Sequence, residues 1–204
     1  MTSRPLALVT GASRGIGAAV AAALAPTHDL LLGGRDPDAL DAVSTSVAGA
    51  GSVRPWPVDL TDPDAVAETE SATWRHQFDV NVVAVAELTR LLLPALRAAQ
   101  GTVVLVNSGA GLAARPGWGS YAASKFALRA FGDALRGEEP DLRVTSVHPG
   151  RVDTDMQRGV VAHEGGTYDP SRFLRPDSVA AAVLAAVTAG PDAHVTEIVV
   201  RPTG

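Results

Sequence analysis

The chain has 204 residues and a mass of 20.9 kDa, the length of about one domain. With 17 basic against 22 acidic residues and a pI near 5.5, it carries no basic excess to neutralise phosphates, which excludes a nucleic-acid partner held that way. The absence of cysteine excludes a disulfide framework, a thiolate zinc site and a cysteine nucleophile. The longest apolar run, Ile16 to Ala25 with Gly17 counted as neutral, has ten residues, short of the roughly 18–20 that a membrane helix needs. The N-terminus lacks the apolar core of a secretory signal, so the expectation is a cytoplasmic protein without membrane association. The five histidines show no metal-ligand spacing.

Apolar runs bounded by turn residues alternate with helical patterns, the signature of a parallel sheet with crossover helices. Pro5 to Val9 reads as the first strand, Gly15 to Leu24 as a helix stopped by Pro26, and Leu30 to Leu32 as a buried strand closed by Gly33 and Gly34. Asp36-Pro37 opens a helix to about Ala48, with Asp36 as cap and Pro37 at the first helical position. Ser52 to Pro57 is strand-like but carries two prolines, which places it at a sheet edge. From Asp64 to Ala99 the pattern is helical, with no glycine and no stop except Pro94. Those 36 residues would make one helix of about 54 Å, too long to return along a six-residue strand of about 20 Å. The chain therefore breaks near Thr69 to Thr73, or something between two helices is absent.

Thr102 to Val106 is a β-branched strand, Ser120 to Gly137 a helix, and Leu142 to Val147 a strand ending at His148-Pro149-Gly150. Thr154 to Pro176, with Gly159, Gly165, Gly166 and Pro170, is the least regular stretch and reads as a mobile loop over a site. Asp177 to Ala189 is a helix and His194 to Val200 the last strand. With no repeat and no linker, residues 1–204 read as a single domain.

Thr10-Gly11-Ala12-Ser13-Arg14-Gly15-Ile16-Gly17 joins the first strand to the first helix. A loop there aims backbone N–H groups and the positive end of a helix at a phosphate. Gly11 permits a tight turn, Gly15 a close approach of backbone to pyrophosphate, and Gly17 close packing of helix on strand. The spacing G-x-x-x-G-x-G differs from the commoner dinucleotide fingerprint. After the second strand, an acidic residue would bind a ribose 2′-hydroxyl and an arginine a 2′-phosphate. Arg35 stands there, with Arg14 as a second cation, which favours NADP over NAD. Asp36 is the competing hydroxyl ligand, but its Asp-Pro context reads more simply as a helix cap.

The chain has 16 arginines and one lysine, Lys125. That lysine lies four residues after Tyr121, on the same helix face, with Cβ atoms about 6 Å apart. An ammonium so placed favours a phenolate, and a lowered phenol pKa makes an acid/base usable near neutral pH. Ser108 follows the strand Thr102 to Val106, at the carboxyl end where an open α/β sheet binds its ligand, and can donate to a carbonyl oxygen. His148 reads as packed or hydrogen-bonded rather than catalytic. Trp74, Phe78, Val82, Val85, Leu88, Leu92 and Leu96 recur at helical spacing and read as core or helix–helix interface. Trp118, Met156, Tyr168 and Phe173 are candidates for a substrate pocket.

Together the TGASRGIG loop, the Ser108–Tyr121 spacing, Tyr121 with Lys125 and the His148-Pro149-Gly150 turn resemble the classical short-chain dehydrogenase/reductase family, across essentially the whole chain. The resemblance implies an α/β, Rossmann-type doubly wound parallel sheet with helices on both faces. It also implies hydride transfer between a nicotinamide cofactor and an alcohol/carbonyl pair. Carried over, Tyr121 is the proton donor in reduction, Lys125 lowers its pKa and holds the nicotinamide ribose, Ser108 polarises the carbonyl, and Asn81 positions a water that links Lys125 to solvent. Asp59, within Val58-Asp59-Leu60, resembles the adenine contact, and Val152 and Thr154, after Pro149-Gly150, resemble contacts to the carboxamide. The family implies a homodimer or homotetramer through the helix bearing Asn81 and the helix bearing Tyr121.

One departure stands out. The family has a central strand ending in an Asn-Asn-Ala-Gly type motif before the helix bearing Asn81, and this chain runs from Asp59 through Glu70 to Trp74 without it. Removing a central strand strands backbone groups and a core layer. The expectation is that the natural chain carries about 30 more residues near the Glu70–Ser71 junction; a genuine deletion puts cofactor binding and activity in doubt. The leading expectation is an NADPH-dependent reductase of a ketone or 3-oxoacyl thioester. The alternatives are an NAD-dependent alcohol dehydrogenase and a non-catalytic NADP-binding sensor, for which Ser108 would have no use.

Overall fold

The computed structural model describes residues 4–47, 49, 51–58 and 70–203. Within them the chain forms two compact units, Met1–Asp59 with Arg151–Ala185 and Arg201–Gly204, and Leu60–Gly150 with Ala186–Val200.

In the first unit, β1 (Leu6–Thr10), β2 (Asp29–Gly34) and β3 (Val53–Pro57) form a parallel sheet in the order β1-β2-β3. The proline-bearing strand is indeed at the edge, where its missing N–H groups cost no ladder bond. β2 is longer than the leucine run because Asp29 N–H donates to the Pro5 carbonyl and Gly33 and Gly34 stay in register with Trp56 and Pro57. Helix α1 (Gly15–Leu24) follows β1, and α2 (Pro37–Ser46) follows β2. Asp36 caps α2, accepting from Ala39 N–H at 3.1 Å. Leu30, Leu32 and Leu40 are fully buried, and with Val20, Ala21 and Leu24 they supply the apolar packing of this βαβ layer.

The stretch expected to be a mobile loop carries a helix. Thr154 caps a helix over Asp155–His163, its Oγ1 accepting from Gln157 N–H, and a 3₁₀ turn follows at Pro170–Arg172, capped by Asp169. A Thr cap with Asp in the first turn is a helix start, and the nearby glycines obscured it. Gly165, with φ of 70°, closes that helix in the left-handed region.

In the second unit, helix α3 (Glu70–Phe78) runs into a π-helical turn at Asp79–Val83 and then α4 (Ala84–Ala99). The long helical pattern is therefore unbroken from residue 70, so the break expected near Thr69 to Thr73 does not occur at residues 70–73, and Thr69 lies outside the described residues. Pro94 sits inside α4 without ending it, and Gln100, at φ of 46°, does. Strands β4 (Thr102–Val106), β5 (Arg143–Pro149) and β6 (Glu197–Val200) form a second parallel sheet, order β4-β5-β6, with α5 (Gly119–Glu138) as the first crossover. Leu105, Leu128, Leu135, Leu142 and Val144 are its buried core, with Val85, Leu93, Leu96 and Phe131 packed on them. The helix at Asp155–His163 is α6, and α7 (Pro176–Val187) completes the set.

Instead of one sheet, the described strands thus make two sheets of three. No described strand pairs with the outer edge of β1 or of β4. No helix among the described residues is long and apolar enough to cross a membrane.

Candidate active site

In the second unit, Val106 ends β4, and the chain turns through Asn107 and Ser108 into a 3₁₀ turn at Gly109–Gly111. Ser108 is held on all its polar groups. Its N–H donates to Asn107 Oδ1 at 2.8 Å, its Oγ accepts from Ala110 N–H at 3.1 Å, and its carbonyl accepts from Gly111 N–H at 3.0 Å. Asn107, which sequence reasoning passed over, is buried and ties this turn to α5 through Nδ2 to the Lys125 carbonyl at 3.1 Å. Gly111 fits only because it lacks a Cβ, which would lie 2.5 Å from Asn107 Oδ1. The only signal for Asn107 was its position directly before Ser108.

Helix α5 carries Tyr121 and Lys125 one turn apart, as expected. The Ser108 side chain stands close enough to the Tyr121 hydroxyl to act on its proton, and Trp118 meets the Tyr121 ring edge-on at 5.8 Å. Lys125 is 8% exposed; its Nζ donates to the Val106 carbonyl at 3.3 Å and lies 5.9 Å from the Tyr121 ring centroid. Burial pushes the ammonium down to about 8. Burial also holds the Tyr121 hydroxyl above the usual phenol range, and only the Ser108 side chain pulls it the other way. The expected lowering by Lys125 is not seen in this arrangement. The ammonium donates to the Val106 carbonyl, and desolvation of the phenol outweighs the other influences on its proton.

Asn81 sits in the π-helical turn, a feature that often marks functional sites. Its Nδ2 donates to Gln77 Oε1 and Ser124 Oγ, both at 3.0 Å. Ser124 in turn donates to the Tyr121 carbonyl at 2.8 Å. Asn81 is thus anchored to the residue beside Lys125. Pro149 is buried at the end of β5, and Gly150 N–H donates to the Val200 carbonyl at 2.8 Å.

In the first unit, the glycine loop takes the conformation its composition requires. Gly15 has φ of 57°, in the left-handed region, and a Cβ on Gly17 would sit 2.1 Å from the Gly11 carbonyl oxygen. Gly11 shares the left-handed conformation at φ of 65°. Ala12 N–H, donating to the Gly33 carbonyl at 3.0 Å, fastens the loop to the end of β2. Arg14 is the N-cap of α1, and its side chain makes no cap bond to the first N–H groups there. Ser13 and Ile16 are half-buried in the loop. Thr154 comes against it: a Cβ on Gly15 would be 3.4 Å from Thr154 Cγ2. Val152 forms an isolated bridge with Leu174, which fixes the segment leading to Thr154.

Arg35 and Arg14 are exposed. Asp36 spends its carboxylate on the α2 cap, as its Asp-Pro context indicated. Asp59 and Leu60 lie outside the described residues. Of the four pocket candidates, Phe173 lines a cavity of about 260 Å³ with Arg151, Val161, Glu164, Thr167 and Asp169. Tyr168 packs on Phe173 at 5.1 Å and donates its hydroxyl to Asp153, whereas Met156 is exposed.

Residues 65–165 match the family model for short chain dehydrogenases. An uncharacterized short-chain type dehydrogenase/reductase of Sinorhizobium fredii is 32% identical over 233 aligned residues, covering 100% of this chain and 94% of its own. Among solved structures, an alcohol dehydrogenase from the archaeon Thermococcus sibiricus, complexed with 5-hydroxy-NADP, superposes with a TM-score of 0.83 at 25% identity, covering 98% of this chain and 97% of its own. A metagenomic short-chain oxidoreductase in complex with NADP gives a TM-score of 0.79 at 27% identity, covering 99% of each chain. The architecture is the Rossmann-like α/β fold of these neighbours, with parallel sheets flanked by helices.

Proposed function

Because this chain belongs to the short-chain dehydrogenase/reductase family and is an oxidoreductase of that type, we propose that it is an NADPH-dependent carbonyl reductase acting on a ketone or 3-oxoacyl-type substrate. The observation that carries this reading is the juxtaposition of the Ser108 and Tyr121 side chains, with Lys125 buried one turn further along the same helix face. A redox sensor that only binds a dinucleotide has no need of that pair.

The residues present fit a dinucleotide. The first turn of α1 has no side-chain cap, and its glycine cradle is one that a Cβ at position 17 would fill. Gly11, Ser13, Arg14, Gly15, Ile16 and Gly17 would hold the pyrophosphate, Arg35 a 2′-phosphate, Asp59 and Leu60 the adenine, and Pro149, Gly150, Val152 and Thr154 the carboxamide. NADP or one of its analogues is bound in the Thermococcus sibiricus and metagenomic neighbours, which supports NADP over NAD here. When bound, the nicotinamide supplies the hydride. Ser108 donates to the substrate carbonyl oxygen, and Tyr121 gives that oxygen its proton. A phenol held above its usual range keeps its proton at neutral pH, which suits an acid working in the reducing direction. Lys125 holds the ribose, and Asn81, fixed on Ser124, keeps a proton path to Lys125 open.

Tyr121→Phe tests this reading. It should lower kcat by about a hundredfold or more while NADPH binding, followed by its fluorescence, stays within about twofold. Unchanged turnover would remove Tyr121 from the chemistry, and a wild-type protein that binds NADPH but turns over no carbonyl substrate would leave the sensor.

Residues 1–204 are read here as one catalytic domain from which a βα unit of about 30 residues near 70/71 is missing. Two sheets of three support that, as does the Sinorhizobium fredii alignment, whose 233 positions exceed the 204 residues of this chain by 29. The intact mass of the protein purified from its source should exceed 20.9 kDa by about 3 kDa; a mass of 20.9 kDa would refute the insertion. Homodimer or homotetramer formation through α4 and α5 is supported by the exposed Leu91 and Phe126 on those helices.

A further inference from the structure

His148 lies in β5 directly before Pro149-Gly150 and is fully buried. Its Nδ1 is 3.2 Å from the Ser108 carbonyl oxygen, and its Nε2 is 3.3 Å from Glu197 Oε1. Glu197 opens β6, and the same carboxylate oxygen accepts from Arg129 Nε at 2.9 Å. Arg129 belongs to α5, four residues beyond Lys125 and eight beyond Tyr121, so it shares their helix face. A carbonyl and a carboxylate oxygen only accept, so the contacts to Ser108 and Glu197 together require a proton on both ring nitrogens. The contacts form a closed circuit: α5 to Glu197, Glu197 to His148, His148 to Ser108, and Ser108 back to Tyr121 on α5.

The Ser108 carbonyl accepts from Gly111 N–H at 3.0 Å, and His148 supplies its second contact, the one that reaches across to β5. Asn107 N–H, which donates to the Val147 carbonyl at 2.8 Å, marks where the β4–β5 ladder gives out, so the position of Ser108 rests on contacts such as these. We propose that His148 is a positioning residue for Ser108, its Nδ1–H fixing the Ser108 carbonyl while its Nε2–H faces Glu197, held by Arg129, which sets the orientation of the ring. This rests on reading Ser108 as the donor to the substrate carbonyl. Because a displacement of about 1 Å in such a group can cost about a hundredfold, the strut is a determinant of kcat rather than of cofactor binding.

The test compares His148→Asn, whose side-chain N–H stands near the place of Nδ1–H, with His148→Gln, whose amide stands near Nε2, and with Glu197→Gln. Three readouts are needed: the His148 ring protonation in the wild-type protein by long-range ¹H–¹⁵N correlation, hydrogen exchange of the amides of residues 108–112, and steady-state kinetics with NADPH. The wild-type ring should be protonated at both nitrogens. His148→Gln should speed exchange at residues 108–112 and lower kcat by about tenfold to a hundredfold, with KM for NADPH unchanged. His148→Asn should rescue most of both, and Glu197→Gln should lie between. An Nδ1 without a proton in the wild-type protein overturns the proposal, even if every variant fails to fold. So do equal effects of Asn and Gln. If the exchange pattern and ring protonation are as stated but the wild type turns over no carbonyl substrate, the strut stands and the reductase reading falls. If Tyr121→Phe abolishes turnover while the His148 variants move neither exchange nor kcat, the reductase reading stands and the strut falls.

Discussion

Replacing Lys125 by methionine should make the protein more stable at neutral pH and inactive at the same time. The side chain is 8% exposed, and burial has pushed its ammonium from the ordinary 10.5 down to about 8. At about 1.4 kcal/mol per unit, that difference corresponds to a cost on the order of 3 kcal/mol for keeping the charge in the folded state. The weak bond to the Val106 carbonyl returns about 1 kcal/mol, so the net gain expected for Lys125→Met is about 2 kcal/mol at pH 7. The sign follows from linkage. Below pH 8 both folded and unfolded chains hold the proton, and the full cost is present. Between about 8 and 10.5 the unfolded chain binds more protons than the folded one, so wild-type stability rises with pH through that window. The advantage of the variant should therefore fall to less than about half by pH 9, vanish at about pH 9.5 and reverse above it. Urea midpoints of both proteins from pH 6 to 10 measure this directly, because the difference cancels the titration of every other group. A difference that does not vary with pH, or a variant less stable than wild type at pH 7, would refute the reasoning. Loss of turnover with a gain in stability is the pattern expected where a site carries a buried charge for function.

Two further substitutions test the cofactor residues. Arg35→Asp should shift preference from NADPH toward NADH by about tenfold to a hundredfold in kcat/KM, because a charge-assisted bond of about 1.5–3 kcal/mol becomes a repulsion; an unaltered preference would remove Arg35 from the phosphate site. Gly17→Ala places a Cβ 2.1 Å from the Gly11 carbonyl oxygen, and the forced shift should cost about 1–3 kcal/mol of stability and at least tenfold in dinucleotide affinity. Thermal unfolding and fluorescence titration check it, and full retention of both would show that the loop can open without penalty.

The strands and helices that rest on local chemistry were legible from residue order alone. Asp36-Pro37 starts α2 because a carboxylate cap and a fixed φ need no distant partner, and Thr102 to Val106 is a strand because its side chains are β-branched. The glycine loop and the Tyr121–Lys125 pair were equally plain, since both depend on spacings of a few residues. The helix Asp155–His163 was missed because three nearby glycines and Pro170 outweighed one threonine cap. Other features depend on partners far along the chain. The parting of the strands into two sheets is decided by pairing, and the ring of His148 meets the Ser108 carbonyl 40 residues away. The state of the Tyr121 phenol belongs to the same group. Spacing set it one turn from an ammonium, but only the folded surroundings determined that burial, and not that ammonium, governs its proton, because desolvation depends on everything packed around a group rather than on its neighbours in sequence.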